Sequence, residues 1–175
     1  MLAAASRITT WPELTWPPPT WPTPTSRGAH LQQAHLTGAN LTGANLMGTT
    51  LTSVILTGAN LTGTNLLEAT LTDATMTAAN LTTADLGSAT LTGAYLLDAN
   101  LTAATLHYAT LHYANLTYAT LTDADMSGAD LTSAGLAGAT LAHADLDGVI
   151  WSHTICPDGT LSDNDGSTCI GHLTP

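Results

Sequence analysis

The chain contains no lysine and no phenylalanine, and its only basic residues are Arg7 and Arg27. Thirteen acidic residues stand against those two, giving a net charge of −11. A surface so poor in cations cannot neutralise phosphates, which excludes direct nucleic-acid binding and binding to anionic membranes. Basic proteins and metal ions stay open as partners. No apolar run approaches the roughly 18 residues of a membrane span. Cysteine occurs only as Cys156 and Cys169. There is no Ser/His/Asp or Cys/His constellation and no phosphate-cradling glycine loop, so the expectation is a protein that is not an enzyme.

What the chain does have is a period. From Leu31 to Leu146 every fifth residue is leucine, except Met76 and Met126, which keep the size and the apolarity. Two residues before each sits a small residue, usually alanine. A period of five fits neither a helical stripe nor a long alternating strand. At about 100° per residue, leucines five apart would spiral around a helix rather than share a face. Within one unit, however, Ala39 and Leu41 point to one side of an extended segment, and Asn40 and Thr42 to the other. Gly43 then lets the chain turn. Repetition winds the chain around an axis, with leucine and alanine inside.

Units such as Ala39-Asn40-Leu41-Thr42-Gly43, Ala84-Asp85-Leu86-Gly87-Ser88 and Ala129-Asp130-Leu131-Thr132-Ser133 resemble the pentapeptide-repeat family over about residues 29–150. That resemblance implies an all-β fold, a right-handed quadrilateral parallel β-helix with four units per coil. It implies about six coils, hence a rod about 29 Å long at about 4.8 Å per coil. It also implies a bacterial source. The expected organisation is a Pro/Trp-rich extended arm at 1–28, the β-helix at 29–151 and a C-terminal cap at 152–175.

The arm repeats Trp11-Pro12, Trp16-Pro17-Pro18-Pro19 and Trp21-Pro22. It reads as polyproline-like, either a mobile tail or a cap on the first coil. At the other end, Cys156 and Cys169 bracket a loop rich in Gly, Asp and Asn. A disulfide between them would close a hairpin over the last coil and contribute roughly 3 kcal/mol. It would also point to an oxidising compartment. Met1-Leu2-Ala3-Ala4-Ala5 is too short for the apolar core of a secretion signal. The expected location is therefore extracytoplasmic or secreted on the strength of the cysteines, with the cytoplasm as the alternative.

Candidate sites are few. Asp158, Asp163 and Asp165 carry the hard oxygens that Ca²⁺ takes. Aligned on Gly166, however, a calcium loop would begin at Leu161 and end at His172, so turn chemistry explains them better. No other cofactor is expected. Tyr108, Tyr113 and Tyr118 share one outward position on successive sides of a coil, with His107 and His112 beside them. Tyrosine is enriched in interfaces, so they form a candidate contact patch for a protein partner or for self-association. Thr50, Thr52, Thr70, Thr72, Thr90 and Thr92 line one side in double rank, like the Thr-x-Thr faces of β-helical ice-binding proteins. Threonine is also an ordinary strand residue. The functional expectation is a non-enzymatic scaffold or protein-binding module. The alternative, implied by the family resemblance, is an acidic DNA mimic that binds DNA gyrase or a topoisomerase. Ice binding is the third reading.

Overall fold

The computed structural model describes residues 31–166 and 168–173. The expected arm, 1–28, lies outside the described residues. Each unit is built the same way. An outward residue and a leucine form a short extended segment, two residues make a corner, and a small residue turns back inside. At the corner the amide of the small residue donates to the leucine carbonyl, as from Ala59 to Leu56 at 3.0 Å. The second corner residue has positive φ, for example 54° at Asp73 and 63° at Gly58. A turn of that kind needs a left-handed residue there, which is why glycine recurs in the slot.

Bridges join outward residues twenty positions apart, all parallel, from His35–Ile55 to Gly135–Ile155. Twenty residues are four units, so each coil has four faces. The first face runs through Leu31 and every twentieth residue to Trp151. The second runs from Leu36 to Cys156, the third from Leu41 to Leu141 and the fourth from Leu46 to Leu146. The fold is thus a right-handed quadrilateral parallel β-helix. Three of the five amides in an interior unit bond between coils: Asn60 to Ala39 (2.9 Å), Leu61 to Asn80 (2.7 Å) and Gly63 to Thr82 (2.9 Å). The fourth closes the corner. The fifth, at the first corner position, finds the side chain of an outward Asn or Asp, as Thr62 does with Asn60 at 3.1 Å. That explains Asn and Asp before so many leucines: they satisfy an amide the ladder leaves over.

The core is a column of leucines flanked by alanines, and every leucine-slot residue from Leu51 to Leu136 is fully buried. Thr49, Thr64 and Thr154 take alanine slots and are buried too. Their hydroxyls donate to the carbonyls of Leu46, Leu41 and Leu131 at 2.7–2.8 Å, so burial leaves no orphan donor. Leu31, Leu36, Leu41 and Leu46 at one end, and Leu146 and Val149 at the other, are only partly covered.

The ladder continues past residue 151, where the leucine period alone would end it. Trp151 and Cys156 occupy leucine slots and are buried, and Ile155 bridges Gly135. Leu161 then pairs antiparallel with Ile155, and a 3-10 turn spans Ser162–Asp165. Ser162 ties this turn to the coil: its amide donates to the Thr154 carbonyl at 2.8 Å and its hydroxyl to that of Trp151. A disulfide joins Cys156 to Cys169.

Candidate functional site

Tyr108, Tyr113 and Tyr118 sit at the second corner position of three successive corners, at φ 55°, 58° and 57°. Bulky side chains rarely adopt this conformation, which costs of order 1 kcal/mol each. All three are exposed, at 70%, 68% and 63%. The rings of Tyr108 and Tyr118 lie back over Gly128 and Gly138 one coil further on, where a Cβ would collide with them. These tyrosines are therefore laid along the rod rather than standing off it.

His107 and His112 diverge. The His107 ring lies over Gly87 of the preceding coil and meets Tyr108 edge-on at 5.8 Å. His112 turns to the following coil, where its buried Nε2 is 2.7 Å from Oδ2 of Asp130. The contact is close but poorly aligned for a hydrogen bond. Burial would raise the pKa of Asp130, but His112 and the hydroxyl and amide of Thr132 outweigh it and hold the carboxyl below its usual value. Among the described residues no three His, Cys, Asp or Glu side chains converge as a metal site.

The cap aspartates serve separate partners. Asp158 accepts from the Thr160 hydroxyl at 2.7 Å and its amide at 2.9 Å, and faces Nδ1 of His172 at 2.6 Å. Its pKa is lowered to about 2, chiefly by the Thr160 hydroxyl, then by the Thr160 amide, with His172 adding to both. Asp163 accepts from the His153 amide at 2.8 Å and lies 3.2 Å from Nε2 of the same histidine. The side chain of Asp165 lies outside the described residues.

The threonine faces are not equivalent. On the third face Thr42, Thr62, Thr82 and Thr102 donate their hydroxyls to Asn40, Asn60, Asn80 and Asn100 at 2.6–2.7 Å. On the first face Thr50, Thr70 and Thr90 are bridged in one column, with Thr52, Thr72 and Thr92 beside them. Among the described residues nothing engages those six hydroxyls, because the partner residues are themselves threonines. Sequence periodicity aligned both faces but could not separate them.

The acids do not align. Glu68, Asp73, Asp98 and Asp123 occupy four different corners, and Thr105 interrupts the column from Asp85 to Asp125 and Asp145 on the fourth face. One aromatic residue escaped the sequence reading. Tyr95 is 53% exposed in an outward slot of the second face, which is bounded by the corners of Tyr113 and Tyr118. Its signal was its rank: it is the one tyrosine directly before a leucine.

A four-faced solenoid of five-residue units, with its chemistry confined to outward and corner slots, defines a class of repeat protein built to present surface. The family model of pentapeptide repeats (8 copies) matches residues 27–63, 54–87, 84–122 and 114–150, and the chain belongs to that family. Among solved structures it is similar to HetL of the cyanobacterium Nostoc sp. strain PCC 7120, a pentapeptide repeat protein involved in heterocyst differentiation regulation. Identity is 32% over 75% of this chain and 74% of that one, with a TM-score of 0.47. A pentapeptide repeat protein of the Arabidopsis thaliana thylakoid lumen shares 27% identity over 59% of this chain and 65% of its own, TM-score 0.44. QnrB1, a plasmid-mediated fluoroquinolone resistance protein, shares 22% over 71% and 65%, TM-score 0.28. No curated protein matches. Among the described residues no helix is long and apolar enough to cross a membrane.

Proposed function

We propose that the chain is a non-enzymatic protein-binding scaffold, exported to an oxidising compartment, with the tyrosine corners as its contact surface. The observation that carries this is the run of exposed tyrosine. Left-handed corners belong to the fold and are filled elsewhere by glycine and by Ser, Asp, Ala, Thr, Gln, Glu and His, but three consecutive corners here hold tyrosine exposed to solvent. Tyrosine is enriched in contact surfaces, and nothing in the corner geometry asks for it. The buried disulfide supports the compartment. The test is photo-crosslinking from position 113 in the source cell, with the thiol state of Cys156 and Cys169 read in the same fraction. A crosslinked protein in an extracytoplasmic fraction, with the disulfide formed, supports the reading. Free thiols in the cytosol would remove the export part and reopen the gyrase alternative, which the scattered acids do not favour.

The first face supports a second reading. Its free threonine hydroxyls repeat at about the 4.8 Å strand spacing. Such a lattice is suited to ordering water, and so to binding ice. A Thr50, Thr70, Thr90→Tyr triple variant with unchanged effect on ice growth would end that reading.

A further inference from the structure

Seven outward slots of the second face lie in one bridged column: His35, Ile55, Thr75, Tyr95, Asn115, Gly135 and Ile155. Gly135 is the only glycine at a bridged position among the described residues. Nothing in the backbone requires it. Its φ is not left-handed, and an added Cβ would meet no atom within 4 Å. Its effect is a gap in the face, between Asn115 on one side and exposed Ile155 on the other.

Aromatic surface surrounds that gap. Tyr113 and Tyr118 stand on the two corners that bound the face, and Tyr95 lies in the same column beyond Asn115. The Tyr118 ring rests over Gly138, which brings it level with Gly135. Acids frame the upper part of the face. The Asp73 carboxylate lies over Gly93, directly above Tyr113 on its corner, and Asp98 precedes Tyr118 on the other. The chain has a net charge of −11, and none of its described residues is Lys or Arg.

We infer that the second face docks an extended, lysine- or arginine-bearing segment of a partner protein, with its cations over Tyr95, Tyr113 and Tyr118 and an aliphatic stem in the Gly135 gap. Each part of the surface fits that chemistry. Tyrosine faces attract cations and flat guanidinium groups. The long stems of these side chains cover apolar surface while their heads stay near water and carboxylates. A second copy of the chain would bring like charge against like. This inference rests on the protein-binding reading above and names the partner's chemistry.

The test is calorimetry of the full-length protein with the peptide Gly-Arg-Leu-Arg-Gly-Arg-Leu-Arg-Gly, and with its Glu-for-Arg counterpart. The arginine peptide should bind and the glutamate peptide should not. Tyr95→Ser and Tyr118→Asn should each weaken binding about tenfold, the size expected of a partly desolvated cation–π contact. Gly135→Val should do the same by filling the gap, and the open space around that position lets the variant fold. His143→Asn, an exposed ring on the corner between the third and fourth faces and outside the tyrosine surface, should stay within about twofold of the parent. Equal affinity across all variants, or an equal loss from His143→Asn, would mean general charge attraction and overturn the inference. If the arginine peptide does not bind while position 113 still crosslinks to a protein, the partner chemistry is wrong and the scaffold reading survives. If both fail, both fall.

Discussion

At the corner of Tyr113, stability and surface pull in opposite directions. The residue holds φ at 58° and is 68% exposed. Its successor on the same corner is Ser133, so no glycine bed receives its ring. Asparagine tolerates the left-handed region better than tyrosine does. Tyr113→Asn should therefore stabilise the protein by about 0.5–1 kcal/mol in urea unfolding. A loss of that size would show that the ring packs and that the strain is repaid locally. The cap offers a second residue-scale prediction. Asp158 has its folded pKa lowered to about 2 from 3.8. A depressed carboxylate favours the folded state fully above the unfolded value, and that contribution disappears as pH falls through the folded one. The cap contacts of Asp158 should thus weaken between pH 3.8 and about 2. Because the Thr160 hydroxyl is the largest cause, Thr160→Val should move the pKa up towards 3.8, read by carboxyl NMR titration.

The element here is the coil, and its position in the stack decides what a substitution costs. Leu86 is fully buried, with coils on both sides, whereas Leu36 is only partly covered. Leu86→Ala should cost about 2–5 kcal/mol, as for a core leucine that leaves a cavity. Leu36→Ala should cost clearly less, since part of that side chain already meets water. Equal costs in urea unfolding would mean that the first coil is covered as well as the interior ones. The coil was also what the sequence showed best. Leu31 to Leu146 gave the inward side and the turn within each unit, while the four faces and the twenty-residue stacking interval came from the family resemblance, since a period of five does not fix how many units close a coil. The last coil was hidden because Trp151 and Cys156 keep the slot and change the residue. The site was less legible. Spacing put Tyr108, Tyr113 and Tyr118 in one outward position on successive sides of a coil, and the structure shows that position to be a left-handed corner. The rings lying on Gly128 and Gly138, the gap at Gly135 and the free hydroxyls of Thr50, Thr70 and Thr90 depend on neighbours twenty residues away. No local pattern carries that information.

For the whole molecule, the stack is close to one-dimensional, so its stability is near a sum of nearest-neighbour terms and it should open from its ends. The described ends differ. The first coil shows half-covered leucines, while the last carries a buried tryptophan, the Ser162 hydrogen bonds and the disulfide. Closing a loop between positions 13 apart corresponds to roughly 3 kcal/mol. Because that link lies in the cap, reduction should act locally before it acts globally. In hydrogen exchange of the reduced protein, amides of Leu131, Gly135 and Leu136, which bond to Ile150, Ala114 and Ile155, test how far the loss spreads. Leu131 and Leu136 should lose protection, since their acceptors lie in the cap coil. Gly135, whose acceptor lies one coil inward, should lose less, and the Leu81 and Leu86 amides should keep theirs. A uniform loss along the rod would mean that the coils open as one cooperative unit. In that case the disulfide would set the lifetime of the whole surface, second face included, rather than of its last turn.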